Sequence, residues 1–225
     1  MVPSTSTSPA LANLTSWGQV RAGRLPLRLV RLFIGLTLYG AAVACFVRAG
    51  VGLEPWGVFH YGLALHTGLS LGTLVVLVGA VVLLLWIPLR QWPGLGTVAN
   101  VLWLGVAMDL TLAVLPEFEG LAARAGLFAV ALVANGLGGA LYIGSQLGAG
   151  PRDGLMTGLH LRTGVSLRLI RTGLEATVLL AGWLLGGPVG AGTVAYALLI
   201  GPLTQFFMRW TVVALPVRPA VPVPA

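Results

Sequence analysis

Six apolar runs, at residues 32–47, 71–89, 95–115, 122–143, 169–185 and 191–208, decide what this chain can become. The first can start as early as residue 27. A helix needs roughly 20 residues to cross a hydrocarbon core, and each run covers most of that distance. Water would not keep such a chain monomeric. In lipid each helix satisfies its own backbone, and apolar side chains meet an apolar solvent. Composition agrees: 57% of the 225 residues are hydrophobic and 8% are charged, against about 25% charged in a soluble domain. The expected fold is all-α, a polytopic membrane protein with six transmembrane helices.

Two further apolar segments, 55–66 and 151–162, are too short to cross as straight helices. Each starts with a proline suited to a first helical position and runs up to a glycine, Gly68 or Gly164. They are expected as re-entrant half-helices or as helices lying in the interface, with the re-entrant form favoured.

All 13 basic residues are arginine. With the amino terminus in the cytoplasm, Arg21, Arg24, Arg28, Arg31, Arg90, Arg152, Arg162, Arg168, Arg171, Arg209 and Arg218 fall at or near the inner face, and only Arg48 and Arg124 fall outside. This positive-inside bias supports six spans with both termini cytoplasmic, in a cell membrane. The net charge of +7 does not point to nucleic acid, because the arginines lie singly between apolar runs rather than on one solvated patch. Membrane lipids are the expected partners of these charges. Residues 1–26 and the Pro/Val-rich 211–225 are expected as flexible cytoplasmic tails. No cleaved signal peptide is expected, since no short hydrophobic segment precedes the first arginines.

The two halves match at a shift of 96 residues. GLEPWGVFHYGLALHTGLSLG at 52–72 aligns with GAGPRDGLMTGLHLRTGVSLR at 148–168. Gly94, Gly96 and Thr97 align with Gly190, Gly192 and Thr193, Gly105 with Gly201, and Gly40 with Gly136. Residues 27–115 form a first repeat and 116–210 a second, each with three spans and one short helix. Three spans per repeat would invert the second copy across the membrane. The short segments would then enter from opposite faces, and their amino ends would meet or line a central cavity.

Arg152 and Asp153 open the second short helix. A helix amino end offers free N–H groups and partial positive charge, so Arg152 there suits an anionic group such as phosphate or carboxylate. The plainer reading has Asp153 capping the helix and Arg152 touching head groups. Arg171 and Glu175 share one helical face at i,i+4. Glu175 lies within a span, where an acid is costly unless paired. Pairing with Arg171 is the simplest solution, and a role in binding substrate or carrying a proton is compatible with it. Asp109 lies in the third run, aligned with Gln205. It needs partners in lipid, as do Asn100 and Asn135. Trp56 aligns with Arg152 and is expected at the outer mouth of a cavity or as an interface anchor. Cys45 reads as a small buried thiol. His60, His66 and His160 show no metal-ligand spacing, and no cofactor, metal or catalytic residue is expected.

These motifs resemble the YczE/YyaS/YitT-like bacterial integral membrane proteins, closest to the YczE-like branch. The resemblance covers about residues 31–205. It is carried by GLEPW at 52–56, GAGPRDGLM at 148–156, Arg162–Thr163–Gly164 and GWLLGG at 182–187. Arg171 and Glu175 fall where such proteins often carry Arg and Glu. Family members often have an aspartate after the Pro–Trp pair, where this chain has Gly57. That departure puts in doubt a matched acid at both short helices. Some relatives look linked to secondary-metabolite production, without an agreed biochemical role.

The leading expectation is a small secondary transporter or permease rather than an enzyme. Its site would lie at the repeat interface and take an anionic or zwitterionic small molecule near Arg152, Asp153, Arg171, Glu175, Trp56 and Asp109. No Walker A motif is present for a self-contained ATP-driven pump. The alternative is a non-transporting scaffold or regulatory factor that binds lipid, or a protein at the arginine-rich cytoplasmic face.

Overall fold

The computed structural model describes residue 11 and residues 14–216. Residues 1–10, 12, 13 and 217–225, parts of the two expected tails, lie outside the described residues. Among the described residues every element is a helix. α1 is Ser16–Arg21, α2 Leu25–Ala49, α3 Pro55–Thr67, α4 Leu71–Leu84, α5 Leu95–Val114, α6 Leu121–Gly144, α7 Pro151–Thr163, α8 Leu167–Leu184 and α9 Ala191–Thr211.

Local chemistry sets these boundaries, and it recurs at the 96-residue shift. The helices α2 to α5 start at 25, 55, 71 and 95, and α6 to α9 start at 121, 151, 167 and 191. Pro55 and Pro151 open α3 and α7 with φ already near its helical value. Gly68 and Gly164 end them in the left-handed conformation. The hydroxyls of Ser70 and Ser166 cap α4 and α8 by accepting from Thr73 N and Leu169 N. Thr97 Oγ1 accepts from the Gly94 amide at 3.1 Å, and Thr193 Oγ1 from the Gly190 amide at 3.2 Å.

Contacts between the halves occur in exchanged pairs. The Gly96 amide donates to Leu147 O at 2.7 Å, and the Gly192 amide donates to Val51 O at 2.8 Å. Gly148 packs on Thr97 as Gly52 packs on Thr193; both glycines have φ above +120°, and a Cβ at either would lie under 3 Å from the threonine Oγ1. Arg28 donates to Ser145 O at 2.7 Å and Gln146 O at 2.6 Å. Arg124, its equivalent, donates to Ala49 O and Gly50 O, both at 2.6 Å. Each arginine starts one long helix and ties down the last carbonyls of the other.

α2 and α6 are therefore antiparallel neighbours. Gly35 lies against Gly138 and Tyr142, and Phe46 packs on Phe128 with ring centroids 5.0 Å apart. A Cβ on Gly35 would sit 2.7 Å from Tyr142 N and 2.8 Å from Gly138 O, so the absent side chain is what lets the two backbones touch. Around this pair, α5 packs on α2, α9 on α6, α3 on α8 and α4 on α5. Large apolar side chains such as Leu110, Val114, Leu184 and Leu198 point outward. That surface suits lipid rather than water.

α2, α5, α6 and α9 are each long and apolar enough to cross a membrane alone, and α3 with α4 forms a broken pair bent by 111°. The structure thus holds four candidate spans, or five if the bent pair counts as one. The expected second span is shorter than the apolar run: α4 stops at Leu84, and 85–90 fold into turns before Pro93. Its 14 residues reach roughly 21 Å. α8 carries Arg168, Arg171 and Glu175 in 18 residues, more charge than a lone lipid-facing span tolerates.

Candidate functional site

The extended segments before α3 and α7 carry the chain back from the ends of α2 and α6, and the two helix amino ends face each other. Between them lies a cavity of about 290 Å³, also bounded by α2, α4, α5, α6, α8 and α9. This is close to the lower end of the range for small-molecule pockets, roughly 300–1,000 Å³.

Arg152 sits at the meeting point. Its guanidinium donates to Tyr39 Oη at 2.6 Å and lies 5.7 Å from the centroid of the Trp56 ring. Trp56 and Arg152 are equivalent positions, so the two halves touch through the residue pair that the repeat aligns. No carboxylate forms an ion pair with Arg152 among the described residues. Tyr196 Oη donates to Asn135 Oδ1 at 3.3 Å in the same cluster.

Of the residues singled out in the sequence, Trp56, Arg152, Asp153, Arg171 and Glu175 all line this cavity. Arg171 Nε donates to Glu175 Oε1 at 3.0 Å, and both side chains keep part of their surface exposed. Asp109 does not line it. Its carboxylate accepts from Ser70 Oγ at 2.6 Å and from Gly72 N at 2.8 Å, which secures the start of α4. Asn100 and Asn135 line the cavity too.

The sequence reading missed Tyr39, Tyr142, Tyr196 and above all Glu54. Glu54 is 5% exposed, lines the cavity, and its Oε2 has no hydrogen-bond partner among the described residues. It also answers the doubt raised by Gly57. Both Glu54 carboxylate oxygens lie 2.6–2.7 Å from where a Gly57 Cβ would be. The carboxylate therefore occupies the space an aspartate at 57 would need. The first short helix has Glu54 and Gly57 where the second has Gly150 and Asp153. Each amino end keeps one acid, at a different position.

Other pairs in the cavity wall also differ between the halves, among them Tyr39 and Asn135, Asn100 and Tyr196, Trp56 and Arg152, Val75 and Arg171, and Gly79 and Glu175. The identical pair Pro55 and Pro151 lines the cavity as well. The identical pair Thr97 and Thr193 lies off the cavity and builds the frame. The divergence of these pairs was visible in the sequence from the shift of 96 alone, but it does not by itself separate cavity positions from others.

The family of unknown function DUF6198 matches residues 26–209. The chain is 35% identical over 196 residues to an uncharacterized protein of Haemophilus influenzae, covering 87% of this chain and 90% of that protein. It is 34% identical over 184 residues to the uncharacterized membrane protein YczE of Bacillus subtilis, covering 81% and 86%. It is 27% identical over 179 residues to the uncharacterized protein YyaS of Bacillus subtilis, covering 78% and 89%. No solved structure matches the chain.

Proposed function

The chain belongs to the DUF6198 family, and within it we propose a small secondary transporter or permease with a central site between its two halves. The observation that carries this reading is the meeting of two helix amino ends over one cavity, with Arg152 lying over Trp56 where they meet. Half-helix amino ends aimed at a central cavity present positive dipoles and free N–H groups to an anionic group of a substrate. Arg152 adds a full charge and a planar donor fork. The substrate is an anionic or zwitterionic small molecule.

On this reading the halves are inverted repeats. The antiparallel run of α2 against α6 and the exchanged contacts support a two-fold axis in the membrane plane. Six crossings follow, by α2, α4, α5, α6, α8 and α9, with α4 and α8 the short ones and both termini cytoplasmic. α3 and α7 then re-enter from opposite faces. Single cysteines at the exposed Leu69 and Val165, in a Cys45→Ala background, are expected to react with a membrane-impermeant maleimide from opposite sides of the membrane. Same-side labelling would rule out inverted repeats.

Function is tested by a thermal-stability screen of the purified protein against metabolites and lipids, beside Arg152→Ala and Glu175→Gln. A compound that stabilises the wild type but neither variant is expected, and its flux into reconstituted vesicles is then measured. If lipids alone shift stability, the transport reading gives way to a scaffold that binds lipid or a partner protein.

A further inference from the structure

We infer that the cavity takes a small zwitterion bearing an N–H ammonium and a carboxylate, with the ammonium held by Glu54 and the carboxylate by Arg152 and Asn135. The inference rests on the transport reading and narrows its substrate class.

Among the described residues, two polar atoms in the wall are buried with no hydrogen-bond partner. Glu54 Oε2 is an acceptor on a side chain 5% exposed, and Asn135 Nδ2 is a donor on a side chain 1% exposed. Such groups are rare in a folded protein, and each lacks a partner of opposite kind. Glu54 wants a donor, which an ammonium with N–H groups supplies and a quaternary ammonium does not. Asn135 wants an acceptor. Its amide is turned that way because Oδ1 is already taken by Tyr196 Oη. Arg152 has spent one donor on Tyr39 and has no carboxylate in ion-pair contact, so its remaining N–H groups also call for an acceptor. The wall thus asks for one cationic donor and one anionic acceptor in the same ligand.

Charge balance selects the same class. The cavity is lined by the carboxylates of Glu54, Asp153 and Glu175 and by the guanidiniums of Arg152 and Arg171, a formal excess of one negative charge. The amino ends of α3 and α7 return roughly half a positive charge each. Counted with every carboxylate ionised, the lining is near neutral. A neutral zwitterion preserves that balance, whereas a bare anion would leave the site with a net negative charge.

The acid exchange between the halves supplies the control. Gly57 is open only because the Glu54 carboxylate stands where its side chain would be. Glu54→Gly with Gly57→Asp together recreate in α3 the Gly150/Asp153 arrangement of α7, returning one carboxylate to the same amino end.

The probes are the common L-amino acids, each beside the amine and the carboxylate that match its two halves, read by thermal shift on the purified full-length protein. At least one amino acid is expected to raise the wild-type midpoint while neither of its halves does. Glu54→Gln, near isosteric, should weaken that amino acid's binding by roughly tenfold or more. The double exchange should recover part of it. Two outcomes overturn the inference while leaving a transporter of anions standing: the carboxylate half stabilises as well as the amino acid, or Glu54→Gln binds the amino acid as tightly as the wild type. If no amino acid, amine or carboxylate shifts the wild type, the zwitterion assignment fails. The broader screen against metabolites and lipids then decides separately whether the transport reading also falls.

Discussion

Alanine in place of Arg28 is expected to lower the unfolding free energy by about 3–5 kcal/mol. Arg28 is fully buried. Its Nε and Nη2 hold Ser145 O and Gln146 O, and its Nη1 donates to Gln19 O and reaches Gly23 O at 3.5 Å. These bonds tie the segment before α2 to the end of α6. Hydrogen bonds to a charged group are worth about 1.5–3 kcal/mol each, and a buried carbonyl left alone costs about 1–3 kcal/mol. Truncation also opens a cavity under the α2–α6 crossing. Lysine should recover only part of the loss, because one ammonium cannot span carbonyls that the guanidinium fork reaches together. Arg124→Ala breaks the equivalent clamp on Ala49 and Gly50 but should cost only about 1–2 kcal/mol, since Arg124 is half-exposed and those carbonyls can be rehydrated. The check is denaturant or thermal unfolding in detergent for all three variants. An Arg28→Ala protein as stable as Arg124→Ala would show that the clamp is not what joins the two long helices.

That clamp also shows where sequence reading stops. The helix starts were legible because Pro55, Ser70, Gly94 and their equivalents are local signals that the chain writes twice. The approach of the two short helices followed from the same repeat. The arginine roles were not legible. An arginine at the end of an apolar run looks the same whether it faces head groups or reaches buried carbonyls. Arg28 and Arg124 were counted on opposite sides of the membrane as topology signals, and the structure gives them one matched task. Asp109 read as an acid near a substrate path, but the helix start it secures is 37 residues away in the chain. The sequence cannot show which of two apolar faces will meet it. The second run read as a full span because hydropathy does not register the turns at 85–90, which the buried Trp86 helps fix by donating from Nε1 to Pro151 O at 3.0 Å. Glu54 was passed over because it precedes a proline in a loop, and its importance lies in the space left by Gly57.

Arg152→Ala is expected to lower ligand binding and flux by about 100-fold while leaving the protein folded. The size follows from what Arg152 does in the cavity. It is the guanidinium between the two helix amino ends, and a ligand acceptor there would receive charge-assisted bonds worth about 3 kcal/mol together. Folding should survive, because its direct contacts are one phenol oxygen and one indole face rather than the backbone of two long helices, and the Glu54 and Asp153 carboxylates near it stand beyond ion-pair distance. Arg152→Lys separates charge from shape. Lysine keeps the positive charge but loses the planar face against Trp56 and the forked donors, so it should regain only part of the lost flux. Arg171→Ala should cost little folding stability, since Arg171 and Glu175 form an exposed i,i+4 pair of the kind worth about 0.3–0.5 kcal/mol. The pattern to look for is a crossing of effects. Arg28→Ala should lose stability, with binding kept in the fraction that remains folded, and Arg152→Ala should lose binding and keep most of its stability. A folded Arg152→Ala protein with wild-type flux would place any transported solute somewhere other than the cavity between the two half-helices.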